Sequence, residues 1–184
     1  GVVLMPTRGE LITVPGLPTD SVKKGYRSHF DHANETATAG YYSVLLDDYQ
    51  IKAEVTATPR VAFQRYHFPK GADNHILFDI GNRQGESGAV HDASVTYTAD
   101  GRIEGYVITL PEYVKKYQPG AQVPIYFSAI ADREPSAFGT FHNENQEEGK
   151  RSATGKGAGL YLTYDFKKES DVTVKIGLSY TSIE

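Results

Sequence analysis

The sequence of 184 residues has no cysteine and no tryptophan. The first absence excludes disulfides and thiol chemistry. The second means that any sugar-stacking surface has to be built from its 13 tyrosines or 8 phenylalanines. No apolar run approaches the roughly 20 residues that cross a bilayer as a helix. Lysine and arginine form no block, and the net charge is −4, so the basic footprint required for a phosphate backbone is missing. These absences exclude a helical membrane span and make nucleic acid a poor partner.

What is present describes a packed domain. At 39% hydrophobic and 23% charged residues the chain is too apolar to be disordered. At this length a fold buries roughly 70% of the surface its extended chain would expose, so one core suffices and residues 1–184 read as a single domain. The 18 Gly and 9 Pro are dispersed, as many short strands with many turns require. The N-terminus lacks a basic-then-apolar leader pattern. Val2 to Met5 read at once as a strand, so the sequence reads as a segment of a larger protein, with Gly1 a scar of tag removal.

Period-two patterning dominates from residue 41. Tyr41 to Leu46 is followed by the turn Asp47-Asp48-Tyr49. Ile51, Ala53, Val55 and Ala57 then alternate with Lys52, Glu54, Thr56 and Thr58. Val61 to Phe68 and His75 to Ile80 are strands separated by a turn at Lys70 to Asn74. Ala93 to Thr98 and Arg102 to Thr109 pair across Asp100-Gly101, a strong hairpin signal. Pro111 to Gln118 holds one helical turn, Val123 to Ala131 is a strand, and the alternations Leu160 to Phe166 and Val172 to Tyr180 are the clearest of all. Tyr26 to Gly40 and Phe141 to Gly159 lack periodicity and read as long loops. About ten or more strands without alternating helices predict an all-β, antiparallel β-sandwich with little helix.

Chemistry is sparse. Inverting glycoside hydrolysis needs an acid and a base about 6.5 to 9.5 Å apart, and no convincing pair exists: Asp47-Asp48 lies in a turn, Asp132 and Glu134 follow a strand, and Glu144, Glu147 and Glu148 read as a solvated acidic stretch. His29 and His32 are the only closely spaced histidines, with no zinc or EF-hand pattern around them. No Gly-x-Ser-x-Gly elbow occurs, and Gly155-Lys156-Gly157 lacks the spacing of a phosphate loop. The polar stretch from Tyr26 to Glu35 offers both donors and acceptors, as sugar hydroxyls require, but an irregular backbone also consumes such side chains. Tyr113 and Tyr117, four apart, form a small stacking platform if their stretch is helical.

The order of motifs is more specific than any one of them. Leu4-Met5-Pro6-Thr7 with Gly9-Glu10, then Tyr26-Arg27-Ser28, Phe30, His32 and Asn34-Glu35 lead into Gly40-Tyr41-Tyr42-Ser43-Val44. Downstream come Ala53-Glu54, Thr56-Ala57-Thr58, Arg60-Val61, Arg65-Tyr66 and Phe68-Pro69, then Ile76 to Asp79, and finally Val172 to Ile183. This series resembles the N-terminal domain of glycoside hydrolase family 92, with departures at His29, Asp31, Ala39 and Gln64. The family's early glycine- and histidine-rich segment and its tryptophan-bearing segment have no counterpart in the chain.

The resemblance implies a fragment of a two-domain enzyme, a secreted or periplasmic bacterial α-mannosidase. In such an enzyme a β-sandwich packs on an (α/α)6 barrel that removes terminal mannose with inversion and requires calcium. Catalytic residues and calcium ligands belong to that barrel, so no catalytic or metal-binding residue is carried over. The mannose-containing glycan and the barrel are the implied partners, and His32, Asn34, Glu35 and Arg27 are candidates for the pocket edge or the interdomain contact. The alternative is a free-standing carbohydrate-binding module that uses Tyr113 and Tyr117.

Overall fold

A computed structural model describes residues 1–17, 25–83 and 88–183. Fourteen strands among the described residues form two sheets in which every neighbouring pair is antiparallel. The smaller sheet has the order β1 (Val3–Arg8), β6 (Gly71–Asp79), β13 (Ala158–Phe166), β10 (Ala137–His142), β11 (Asn145–Glu148). The larger has the order β12 (Ser152–Thr154), β7 (Ala89–Tyr97), β8 (Arg102–Leu110), β9 (Val123–Ala131), β14 (Ser170–Ser179), β5 (Val61–Phe68), β4 (Ile51–Ala57), β3 (Tyr41–Leu46), β2 (Glu35–Thr38). A single helical turn, α1 (Glu112–Lys115), follows β8. The predicted all-β sandwich is the observed architecture.

Alternation puts one set of side chains from each sheet between the layers. Ile76, Phe78, Leu160, Leu162 and Tyr164 from the smaller sheet meet Ile51, Tyr66, Phe68, Val95, Ile103, Val107, Phe127, Val172 and Val174 from the larger. The smaller sheet is covered on its other face as well, where Leu77, Phe141 and Tyr161 pack with Tyr26, Met5 and Leu11. Burial on both faces makes β6 continuously apolar from Ile76 to Phe78, the pattern expected of a fully covered strand. Arg151 ties the two layers at one end, its guanidinium 5.3 Å from the Tyr97 ring of β7 and 4.8 Å from the Phe138 ring of β10.

Four boundaries differ from the sequence reading, each for a local reason. The stretch Phe141 to Gly159, read as a loop, contains the end of β10 and all of β11 and β12. Gly139, Thr140 and Phe141 are buried in succession, whereas all four residues of β11 are exposed, so neither strand alternates. The second loop, Tyr26 to Gly40, holds a 3-10 turn at His32–Asn34 and the edge strand β2. The turn placed at Lys70 to Asn74 is largely strand, since β6 starts at Gly71, and β7 starts at Ala89 rather than Ala93.

Gly159 lies opposite Phe141 in the β10–β13 register, and the Phe141 ring lies so flat on it that an added Cβ would meet ring carbons at 2.0 Å. Overpacking of this kind costs about 1–3 kcal/mol. Gly159→Ala is therefore expected to lower the unfolding free energy by that amount, seen as a lower urea midpoint with an unchanged m-value, whereas Gly149→Ala, where nothing lies within 4 Å, meets only the strain of its positive φ.

Candidate functional site

The polar stretch before β2 is fastened to the core by Tyr26. Its hydroxyl donates to Asp79 Oδ2 at 2.7 Å, its N–H donates to Val14 O, and its carbonyl accepts from the Tyr49 hydroxyl at 2.9 Å. From that anchor the chain runs outward past the Asp47-Asp48 turn, where His29 N–H donates to Asp48 Oδ2 and Asp47 N–H donates to His29 O. Asp31 then caps the 3-10 turn by accepting from Ala33 N–H at 2.8 Å, as short polar caps do.

This geometry brings two of the four candidates together. His32 Nδ1 lies 2.6 Å from Glu35 Oε2, and the Tyr42 hydroxyl donates to Glu35 Oε1 at 2.6 Å. The Tyr42 bond first, then the His32 bond, holds the Glu35 carboxyl below its ordinary pKa; Glu35 in turn raises the Tyr42 phenol. The Phe30 ring meets the His32 ring edge-on at 5.3 Å. Arg27 is held elsewhere, its Nε donating to Gly16 O at 3.1 Å. Asn34 enters through its backbone, N–H to Asp31 O at 2.9 Å.

A second polar array lies on the outer face of the larger sheet. Glu54 of β4 is only 7% exposed although it faces away from the core. Its carboxylate receives Arg65 Nε at 2.7 Å and the Tyr41 hydroxyl at 2.5 Å, and it has His67 Nε2 at 2.5 Å and Lys52 Nζ at 3.4 Å. His67 Nδ1 lies 2.6 Å from Asp171 Oδ1 of β14, so carboxylates address both ring nitrogens, an arrangement satisfied by two N–H donors. Strand register creates the array: Glu54 is paired with Arg65, Lys52 with His67, and His67 with Asp171.

The array did not emerge from the sequence reading because Glu54 reads there only as the polar partner in an alternating strand. The available signal was cross-strand, an acid opposite an arginine once the β4–β5 register is set. Arg65 first, then Tyr41, depresses the Glu54 carboxyl well below the usual carboxylate range. With donors on both oxygens it acts as a structural anchor rather than a base awaiting a proton. A cleft of about 260 Å³ lies beside it, lined by Tyr41, Thr56, Phe63, Arg65 and Thr173.

Two of the other acids singled out in the sequence are similarly engaged. Asp132 Oδ1 accepts from Thr173 N–H at 2.8 Å, and Glu147 pairs with Lys150 at 2.7 Å. Among the described residues no group of three or more His, Asp or Glu converges as a metal cradle would need. Calcium therefore does not fit the described side chains. Tyr113 and Tyr117 are 67% and 80% exposed, but α1 ends at Lys115 and so includes only Tyr113. Tyr117 carries Lys116 Nζ 5.7 Å from its ring, and among the described residues no ring contact links the two tyrosines.

Glu54→Gln is expected to cost about 1–3 kcal/mol of folding free energy at pH 7. A depressed folded-state pKa makes the carboxylate's contribution complete above the unfolded value of about 4.3, and it is progressively lost as pH falls through the folded value. Urea titrations at pH 7 and pH 3 should therefore show the gap between the two proteins narrowing in acid; a gap that stays constant contradicts this role.

No curated protein matches the chain. Among solved structures, the family GH92 α-mannosidase BT3965 from Bacteroides thetaiotaomicron, in complex with mannoimidazole, superposes with a TM-score of 0.86 at 25% identity. The chain is covered to 99% and spans 24% of that protein's chain. The family GH92 inverting mannosidase BT2199 from the same organism gives 0.71 at 20% identity, covering 97% of this chain and 21% of its own. The GH92 family glycosyl hydrolase ccman5 gives 0.76 at 24%, covering 99% of this chain and 24% of its own. These last two establish the shared fold. Residues 1–179 match the glycosyl hydrolase family 92 N-terminal domain, and the chain belongs to that family.

Proposed function

We propose that this sandwich is the N-terminal part of a calcium-dependent, inverting exo-α-mannosidase that acts on mannose-containing glycans outside the cytoplasm. In this reading it packs on an (α/α)6 catalytic barrel and shapes the entrance to that barrel's pocket. The family match over residues 1–179 carries the reading, together with the fact that the chain spans about a quarter of the α-mannosidase it superposes on. No described helix is long and apolar enough to cross a membrane.

Two features of the chain support a buttressing role. Inversion needs an acid and a base on opposite sides of a sugar, and Glu35, Glu54, Asp132 and Glu147 are already engaged with histidine, tyrosine, arginine, lysine or backbone groups. The chemistry is accordingly assigned to the barrel. Second, β2 is an edge strand with three of its four residues exposed, and folds usually cover or blunt such an edge. His32 and Glu35 stand where that edge begins, a position suited to an interdomain contact.

The 184-residue chain is expected to release no mannose from 4-nitrophenyl α-mannoside with calcium present, whereas the parent enzyme does so, loses the activity in EDTA, and yields β-mannose first by proton NMR. Turnover by the chain alone, or retention of configuration by the parent, overturns the reading. In the parent, Glu35→Ala is expected to lower kcat/KM about tenfold, as a pocket-edge or interface contact would; an unchanged kcat/KM removes Glu35 from that role.

A further inference from the structure

Register across the larger sheet arranges its outer side chains in rows that cross the strands. One row runs Phe63, Lys175, Ile130, Arg102, each directly opposite the next. Two residues further along the strands is the row Val61, Gly177, Ser128, Glu104, Thr96. Two further again is Ser179, Tyr126, Tyr106, Ser94. The outer two rows carry the bulk: Phe63 is 37% and Ile130 47% exposed, and the Tyr106 and Tyr126 rings lie 6.1 Å apart. The middle row is lowest at Gly177, which has no side chain, and at Ser128 beside it, while the longer Glu104 side chain is held toward Arg102.

The result is a transverse trough. Its ridges are separated by four residues of strand, about 13 Å, and its floor crosses five strands, about 19 Å. The Gly177 end is a depression of about 230 Å³, with Arg60, Val61, Tyr126, Ser128 and Ser179 in its lining. The floor offers hydroxyls from Ser128 and Thr96 and a carboxylate from Glu104. Glu104 Oε1 receives Ser128 Oγ at 3.1 Å and Arg102 Nη1 at 3.1 Å, and no described residue engages Oε2. At the tyrosine ridge the Tyr106 hydroxyl donates to Asp92 Oδ2 at 2.8 Å.

We infer that this trough binds a short segment of neutral glycan, independently of any catalytic pocket. A pyranose has an apolar face of C–H groups, which an aromatic ring accepts, and a rim of hydroxyls that need both donors and acceptors. The trough supplies a tyrosine ridge for the first and a mixed floor for the second. Glu104 and Asp92 are set against Lys175, Arg102 and Arg60, so charges of both signs are mixed along the trough, which favours a neutral ligand over a polyion of either sign. The strand interior offers no open backbone edge on which a peptide would add as a strand. The choice of mannan as probe rests on the proposed function; the trough itself does not.

Gly177 supplies a clean variant. An added Cβ there meets only Ser128 O, at an ordinary 3.8 Å, so Gly177→Leu fills the trough without disturbing the sheet. The 184-residue chain titrated with linear α-mannotetraose, followed by NMR, is expected to bind in the millimolar range or tighter. Gly177→Leu should abolish binding with unchanged circular dichroism and melting temperature, and Tyr126→Ala should weaken it about tenfold. Absence of binding by the unaltered chain, or equal binding by Gly177→Leu, overturns the inference, and the Gly177→Leu test stands even if Tyr126→Ala fails to fold. In the parent, Gly177→Leu should lower kcat/KM about fivefold on polymeric mannan and leave it unchanged on 4-nitrophenyl α-mannoside. An equal fall on both substrates identifies the face as a packing surface and overturns the inference. Failure of the proposed function is read separately, as no hydrolysis of the small substrate by the unaltered parent.

Discussion

The register of β14 against its two neighbours decides what both faces of the larger sheet present. Val172, Val174 and Ile176 are buried almost completely, and each such side chain contributes about 1.5–3 kcal/mol on burial. A slip of one residue would exchange them for Thr173 and Lys175, placing an ammonium in a core with no carboxylate to receive it. The same constraint that fills the core therefore sets Asp171 beside His67 and Lys175 between Phe63 and Ile130. It also puts a glycine between Val61 and Ser128. Outer-face chemistry here is a consequence of inner-face packing.

That dependence explains which parts of the molecule could be read from the sequence. Strands β4, β5, β8, β9 and β14 announce themselves, because one face is apolar and the other more polar, and β13 does so through the alternating large residues Leu160, Leu162, Tyr164 and Phe166 although part of its other face is covered too. Strand β10 does not, since both of its faces are covered and its sequence includes Gly139 and Thr140; β11 does not, since its sequence Asn-Gln-Glu-Glu has no apolar residue. His32 and Glu35 are both among the sequence candidates, but their contact is made by the 3-10 turn at His32–Asn34, which sets the His32 ring against Glu35 at the start of β2. The Glu54 array and the trough were not legible, because each is assembled from residues on different strands, and a single sequence shows the strands without their pairing.

The residues that carry the family resemblance acquire distinct physical roles in the structure. Tyr26 anchors the loop to the buried Asp79, Ser28 Oγ accepts from Asp48 N–H, Tyr42 orients Glu35, and Glu54 binds Arg65. Each is a tether that fixes irregular backbone or a sheet surface, and at the buried Tyr26–Asp79 pair and at Glu54 a lost partner would leave a desolvated polar group. Much of the motif series is thus scaffold chemistry, which is why it identifies the domain so well and yet names no catalytic group. His32 differs, since its ring is exposed and, among the described residues, held through Glu35 and the edge of Phe30.

The β2 edge and the outer face of the larger sheet are physically unlike, and this separates their uses. At β2 the sheet ends in a short exposed strand with one strand neighbour among the described residues and a histidine–carboxylate pair beside it, features that favour a rigid neighbour able to complete the edge. At the centre of the outer face every backbone group is already paired between strands, so a ligand there must be recognised through side chains alone. Side-chain recognition on a ribbed surface favours a thin, polyhydroxylated chain lying across the ribs over a protein domain, which would have to bury Lys175, Arg102 and Glu104 together. The edge therefore suits the neighbouring domain proposed above, and the face suits the glycan inferred above.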